Sequence, residues 1–180
     1  PEEVSDGDLD TWSERLLHLM ERLAKLSPDI MAQTSQALAQ TYLLNGQTEK
    51  ARTLFEQQRD PSSAWETVAL GIGETEWLVA QYRQLKSPWR RTERLVQLAL
   101  QRLSESPDEA ARIAGIARAG LDEVPEHSRS AAISILVRFA GRAGKPDEVL
   151  AYLDLLRQMD ADGRAMDEAM KSLVLAYGVS

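Results

Sequence analysis

Only two imidazoles, His18 and His127, occur in the chain, and no cysteine accompanies them. A zinc centre or a catalytic constellation needs several such groups converging, whereas these two are 109 residues apart. One neighbours Leu17 and Leu19 and the other sits near an expected helix start, so each reads as a packing or surface residue. Asp6, Asp8 and Asp10 alternate as in the opening of a calcium loop. Thr11 stands where that loop needs its glycine, however, and Leu17 where it needs its last glutamate. Asp160-Ala161-Asp162-Gly163 fails the same test and reads as an interhelical turn. Gly71-Ile72-Gly73 lacks the third glycine and the preceding strand of a dinucleotide loop. No phosphate-binding loop or nucleophile elbow is found, so the residues assign no catalytic role, no metal and no cofactor, and the chain reads as a non-enzyme. The chemistry that remains is electrostatic. Arg138 and Arg142 are one helical turn apart and point the same way, and Lys171 is expected to join them.

Bulk composition bounds the partners. With 43% hydrophobic but only 6% aromatic residues, and with Leu, Ala, Glu, Arg and Gln prominent, the chain favours helices. A net charge of −7 argues against a general nucleic-acid binder, since phosphate neutralisation needs surplus Lys and Arg. The charge is uneven: −5 over residues 1–60, +1 over 61–120 and −3 over 121–180. No apolar run approaches 18 residues and no signal peptide opens the sequence, so any membrane link is expected only through a larger parent protein. A start at Pro1 within an acidic segment, and an end after an isolated half of a helix pair, read as the bounds of a fragment. The absence of cysteine suits an oxidising compartment such as the periplasm, with the cytoplasm as the alternative.

Those cations must be positioned by helices, and the clearest are in residues 29–60. Leu38, Ala39 and Tyr42 share one face of a helix expected from about Asp29 to Asn45. Asn45-Gly46 closes it, because glycine adopts the left-handed conformation of a helix C-terminus at little cost. Ala51, Leu54, Phe55 and Gln58 then mark a second helix, with small alanines allowing close approach and Tyr42 and Phe55 filling the seam. Before this, residues 1–7 read as a flexible lead-in, and a helix from about Asp8 to Lys25 carries Trp12, Leu16, Leu19, Met20 and Leu23. Residues 61–86 form a short degenerate pair, with Gly71 and Gly73 interrupting. Residues 88–120 form a second degenerate pair, whose Ser106-Pro107-Asp108-Glu109 reads as a capping box and whose helix carries Ala111. Residues 125–159 form a clear pair, with Ile133, Leu136, Val137 and Ala140, then Gly144, then Val149, Leu153 and Leu156. Residues 164–180 supply half a pair, with Met170, Leu173, Val174 and Tyr177 exposed for want of a following helix and able to drive end-to-end self-association. Pro28, Pro61, Pro88, Pro107, Pro125 and Pro146 each fall where a helix should begin.

Leu38-Ala39, Tyr42, Gly46, Ala51 and Phe55 stand in the order and spacing of the tetratricopeptide repeat, which this stretch resembles, although Ser35 replaces the family's large residue early in the first helix. The 98 residues from Gly46 to Gly144 are close to three repeats. The resemblance implies an all-α, right-handed superhelical solenoid of antiparallel helix pairs over residues 1–180. It also implies a concave groove lined by first helices, here by Gln33, Gln36, Gln40, Ser134, Arg138, Arg142 and Lys171, holding a peptide or acidic segment of another protein, or an anionic polymer. Gln36 and Gln40 depart from the lysine and asparagine that clamp a chaperone's terminal carboxylate. Against the groove reading stands pairing of Arg138 and Arg142 with Asp147, Glu148 or Glu168. ILVRFAGRAGKPDEVLAYLDLLRQM also resembles the RNA-binding pentatricopeptide repeat, a reading the acidic balance disfavours. In their irregular Ala-, Arg- and Leu-rich style the repeats look like periplasmic regions of bacterial exopolysaccharide export and synthesis proteins, the Pel type among them, which implies a scaffold in biofilm matrix assembly.

Overall fold

A computed structural model describes residues 28–57, 63–159 and 163–179, together with positions 15, 18, 19 and 22. Among the described residues there are nine α-helices and no strand. They are α1 (Pro28–Leu44), α2 (Thr48–Glu56), α3 (Glu66–Ile72), α4 (Thr75–Arg83), α5 (Pro88–Arg102), α6 (Pro107–Ala119), α7 (Glu126–Arg142), α8 (Pro146–Gln158) and α9 (Gly163–Val179). Single 3₁₀ turns, Ser63–Trp65 and Leu121–Glu123, precede α3 and α7. The chain forms two compact units that divide between Leu78 and Val79.

Proline and glycine set the element ends. Pro28, Pro88, Pro107 and Pro146 open α1, α5, α6 and α8, where the missing N–H forfeits no intrahelical bond, and Pro125 immediately precedes α7. Pro61 lies outside the described residues. Gly46, Gly73 and Gly144 have φ of 68°, 79° and 64°. Each is followed by an N–H that reaches back to the last turn: Gln47 to Tyr42 O at 2.8 Å, Glu74 to Ala69 O at 2.8 Å, Lys145 to Ala140 O at 3.0 Å. This one closure, used three times, needs a left-handed residue, which explains the recurring glycine.

Several local expectations are corrected. Ser106 makes no side-chain cap bond. Its φ of −145° and ψ of 81° do not suit the reciprocal box, and Ser87 instead caps α5 by accepting from the Arg90 N–H at 3.4 Å. Gly71 does not interrupt a helix. It lies inside α3, where the absent Cβ makes room for Leu43, whose Cδ1 would be 2.6 Å from it. In α6 the buried stripe is Ala110, Ile113, Ala114 and Ala117, and Ala111 is only half-buried, one position round the helix from the expected face. Of the helix expected from Asp8 to Lys25, Arg15, His18, Leu19 and Arg22 are helical and exposed, Leu19 at 53%. Their spacing places all four on one face, so Leu19 belongs to the solvent side of that segment and not to its apolar side. The Asp6–Asp10 motif, the residue 1–7 lead-in and Asp160-Ala161-Asp162 lie outside the described residues.

In the first unit, α1 and α2 pack together and α3 packs on both. Leu38, Ala39, Tyr42, Ala51, Leu54 and Phe55 are all buried, as their spacing predicts. The Phe55 ring meets Trp65 edge-on at 5.9 Å and Trp77 edge-on at 5.2 Å. Arg52 ties α2 to the end of α3, donating Nη2 to Ile72 O at 2.7 Å and pairing through Nη1 with Glu74. In the second unit, α5 packs with α6 and α7, and α8 packs on α7. Both α7 and α8 then receive α9. Ile133, Leu136, Val137, Ala140, Val149, Leu153 and Leu156 are at most 2% exposed. Arginines secure the connections: Arg129 donates Nη2 to Val124 O at 3.1 Å, and Arg91 bridges to Glu123 at 2.8 Å and to Leu85 O at 3.2 Å.

Candidate partner-binding face

The expected groove residues fall in both units. In the first, Gln33, Gln36 and Gln40 lie on α1, and the side chain of Gln33 is outside the described residues. Gln36 is engaged structurally: its Nε2 donates to Ala64 O at 2.6 Å, tying α1 to the turn before α3. Gln40 is half-buried. Leu44, which stands 98 residues before Arg142 and so at the corresponding place, is 89% exposed, and no part of the groove reading anticipated it. Its signal is present in the sequence, as a second leucine directly before Asn45-Gly46.

The second unit brings the cations together. In α7 the buried positions Leu136, Val137 and Ala140 turn one face inward, which leaves Arg138 and Arg142 on the opposite, exposed face. Ser134 contributes little to that face, because it is half-buried and its Oγ donates to Ser130 O at 2.9 Å. In α9 the residues turned inward are Ala165, Ala169, Ser172 and Ala176, and Lys171 is exposed. The two helices touch backbone to side chain at Gly141. A Cβ there would be 2.7 Å from Ser172 O and 2.8 Å from Ser172 Cβ. Arg142 and Lys171 are the chain neighbours of these two contact residues, and both are exposed. Arg138 is itself engaged in an interaction within the fold; of the carboxylates expected to pair with the two arginines, Asp147 is exposed, Glu148 bridges Lys145 at 3.0 Å, and the side chain of Glu168 lies outside the described residues.

Arg138 also borders a recess of about 110 Å³ between α5 and α7. Val96, Leu100 and Ile135 contribute its apolar wall, and Glu93, Gln97 and Arg138 its polar rim. A larger hollow of about 370 Å³ lies at the end of α6, among Arg83, Arg91, Ile116, Ala119, Gly120 and Glu123. Its Arg91 pairs through Nη1 with Glu123 and donates Nη2 to Leu85 O, while its buried Nε has no hydrogen-bond partner among the described residues.

His18 and His127 are both exposed, and among the described residues no three His, Cys, Asp or Glu side chains converge as metal ligands would. Tyr152 has a perturbed titration: burial pushes its phenol above the ordinary tyrosine value, partly offset by the Arg118 guanidinium 5.6 Å over its ring and reinforced by Glu148. It is one of the buried residues of α8. Among the described residues no helix is long and apolar enough to cross a membrane. Comparison with known proteins finds no matching family model, no matching curated protein and no matching solved structure.

Proposed function

We propose that this chain is a non-catalytic protein-interaction scaffold whose α7–α9 cationic face holds an acidic segment of a partner protein. The observation that carries the reading is the exposure of Arg138, Arg142 and Lys171 on two helices in direct contact, within a chain of net charge −7. Exposed cations on neighbouring helices attract an anionic segment by Coulomb interaction. The finer architecture, a right-handed solenoid of tetratricopeptide-like pairs, belongs to the same proposal. Its support is the buried Leu38, Ala39, Tyr42, Ala51 and Phe55 at repeat spacing and the three glycine closures. A role in bacterial exopolysaccharide export or matrix assembly, in the periplasm, is the outer part of the proposal and rests on the style of the repeats alone.

Fluorescence anisotropy with a labelled poly-glutamate peptide tests the face, with alginate as the competing anionic polymer. The double variant Arg138→Glu, Arg142→Glu should keep its helical circular dichroism and lose about 2 kcal/mol of peptide affinity, roughly 30-fold, with much of the salt dependence. Equal affinity in a folded double variant would remove the face from consideration. Stronger binding of alginate than of the peptide would replace the acidic protein segment by a polymer.

A further inference from the structure

Most cations of the second unit are engaged within the fold. Arg91, Arg102, Lys145 and Arg157 pair with carboxylates, Arg129 donates to main-chain carbonyls, and Arg118 lies over the Tyr152 ring. Arg83 differs. It stands exposed in the last turn of α4, and its side chain has no hydrogen bond, ion pair or ring contact among the described residues. It lines the hollow of about 370 Å³ at the end of α6, and every residue of that lining belongs to the second unit.

Three features of the hollow define what it can take. Its volume lies near the lower end of the range for small-molecule sites, roughly 300–1,000 Å³. Its lining carries a net charge of +1, with Arg83 and Arg91 set against Glu123. The glutamate does not neutralise Arg83, because Arg91 Nη1 holds Glu123 Oε2 at 2.8 Å while its Nη2 donates to Leu85 O. The rest of the wall is Ile116, Ala119 and Gly120, where α6 ends. There the carbonyls of the last turn place the negative end of the helix dipole.

A monoanion suits this balance, whereas a second negative charge would be repelled by Glu123 and by the carbonyl end of α6. The planar guanidinium of Arg83, with its donors unused, matches a carboxylate two N–H groups to two oxygens. Ile116 is half-buried and Ala119 exposed, so a short aliphatic body laid on them removes apolar surface from water. We infer that this hollow binds a short aliphatic monocarboxylate, whose carboxylate pairs with Arg83 and whose chain lies on Ile116 and Ala119. A free acid carries that chemistry, and so does the C-terminus of a peptide ending in an aliphatic residue. The site shares no residue with the cationic face of α7 and α9, and the inference stands apart from the function proposed above.

Isovalerate is the probe. Two-dimensional NMR of the 180-residue chain, titrated at constant ionic strength with chloride as the control anion, should show saturable shifts at Ile116, Ala119 and Gly120. The Kd should be on the order of 1 mM, within the ceiling for a ligand of this size. Arg83→Gln should weaken binding by at least about tenfold, and Arg83→Lys, which keeps the charge but loses the fork, should fall between. The uncharged isovaleramide should not bind, and the dianion isopropylmalonate should bind more weakly than isovalerate. A tripeptide ending in leucine, with its terminus free or amidated, separates the two sources: the free terminus binds more tightly than isovalerate if the site is built for a chain end, and more weakly if it is built for a free acid. Shifts no larger than those with chloride, shifts confined to other residues, or binding unaltered in Arg83→Gln overturn the inference. So does tighter binding of the dianion.

Discussion

Phe55 meets two indoles edge-on, an arrangement that adds aromatic attraction to its buried area. Phe55→Ala should therefore cost about 3 kcal/mol, visible as a lower melting temperature and a red-shifted tryptophan emission. The sequence showed Phe55 as a core residue but not its partners, because Trp65 lies in the turn before α3 and Trp77 in α4, and where these are placed depends on packing and not on local periodicity. Tyr152 gives a second residue-scale outcome. Its folded pKa is raised above that of the unfolded chain, so its contribution to stability is fully present below the ordinary tyrosine value near pH 10 and is lost as pH climbs through the folded value. Denaturant titrations should show stability falling above about pH 10, with a shallower fall in Tyr152→Phe, which keeps the ring under Arg118. An identical alkaline slope in the variant would mean that this phenol is not responsible. Arg52 escaped sequence reading altogether: an arginine on a helix looks like any solvated charge until the end of α3 is placed beside it.

At the scale of the helix, glycines that look alike in the sequence play different parts. Gly141 holds α7 and α9 together, since any Cβ would strike the Ser172 backbone at 2.7 Å. Gly71 faces only the end of the Leu43 side chain, which can rotate, and Gly115 faces open space. Alanine is the better helix former by about 1 kcal/mol, and that preference should decide the outcome wherever nothing stands in the way. Gly115→Ala should thus stabilise by roughly 0.5–1 kcal/mol, Gly71→Ala should change little, and Gly141→Ala should destabilise by about 1–3 kcal/mol. Thermal melts of the three variants check the order, and a stabilised Gly141→Ala would show that α7 and α9 do not touch there. The element boundaries were legible because proline and glycine impose them chemically, as at Pro88, Pro146, Gly46 and Gly144. The Gly141 contact was not, since a glycine inside a helical stretch shows no partner until the neighbouring helix is placed: Gly115 also stands mid-helix, and it is exposed.

For the molecule as a whole, the two compact units hold separate sets of stabilising contacts. Phe55 has its ring partners in the first, and Gly141 has its contact with Ser172 in the second. With no shared partner, the effects of Phe55→Ala and Gly141→Ala should add to within about 0.5 kcal/mol. Residue-level hydrogen exchange should show each loss in its own unit, and a strongly non-additive double variant would mean that the two sites are energetically coupled. The cationic face was half legible at this scale. Helical spacing put Arg138 and Arg142 together, but only the fold shows that Gln36 and Ser134 spend their hydrogen bonds internally.

Each of the three left-handed glycines joins its helices through a connection only a few residues long, as Asn45–Gln47 does between α1 and α2. Short connections make loop closure inexpensive in entropy, and contacts between sequence neighbours allow rapid folding. On a translating ribosome, where residues appear at about 5–20 per second, α1 can therefore cover itself with α2, and α7 with α8, almost as soon as the second helix of each pair has emerged. Nascent apolar surface is then never much larger than one helix, which lowers the exposure to chaperones and to aggregation that a fold closed by distant segments must endure.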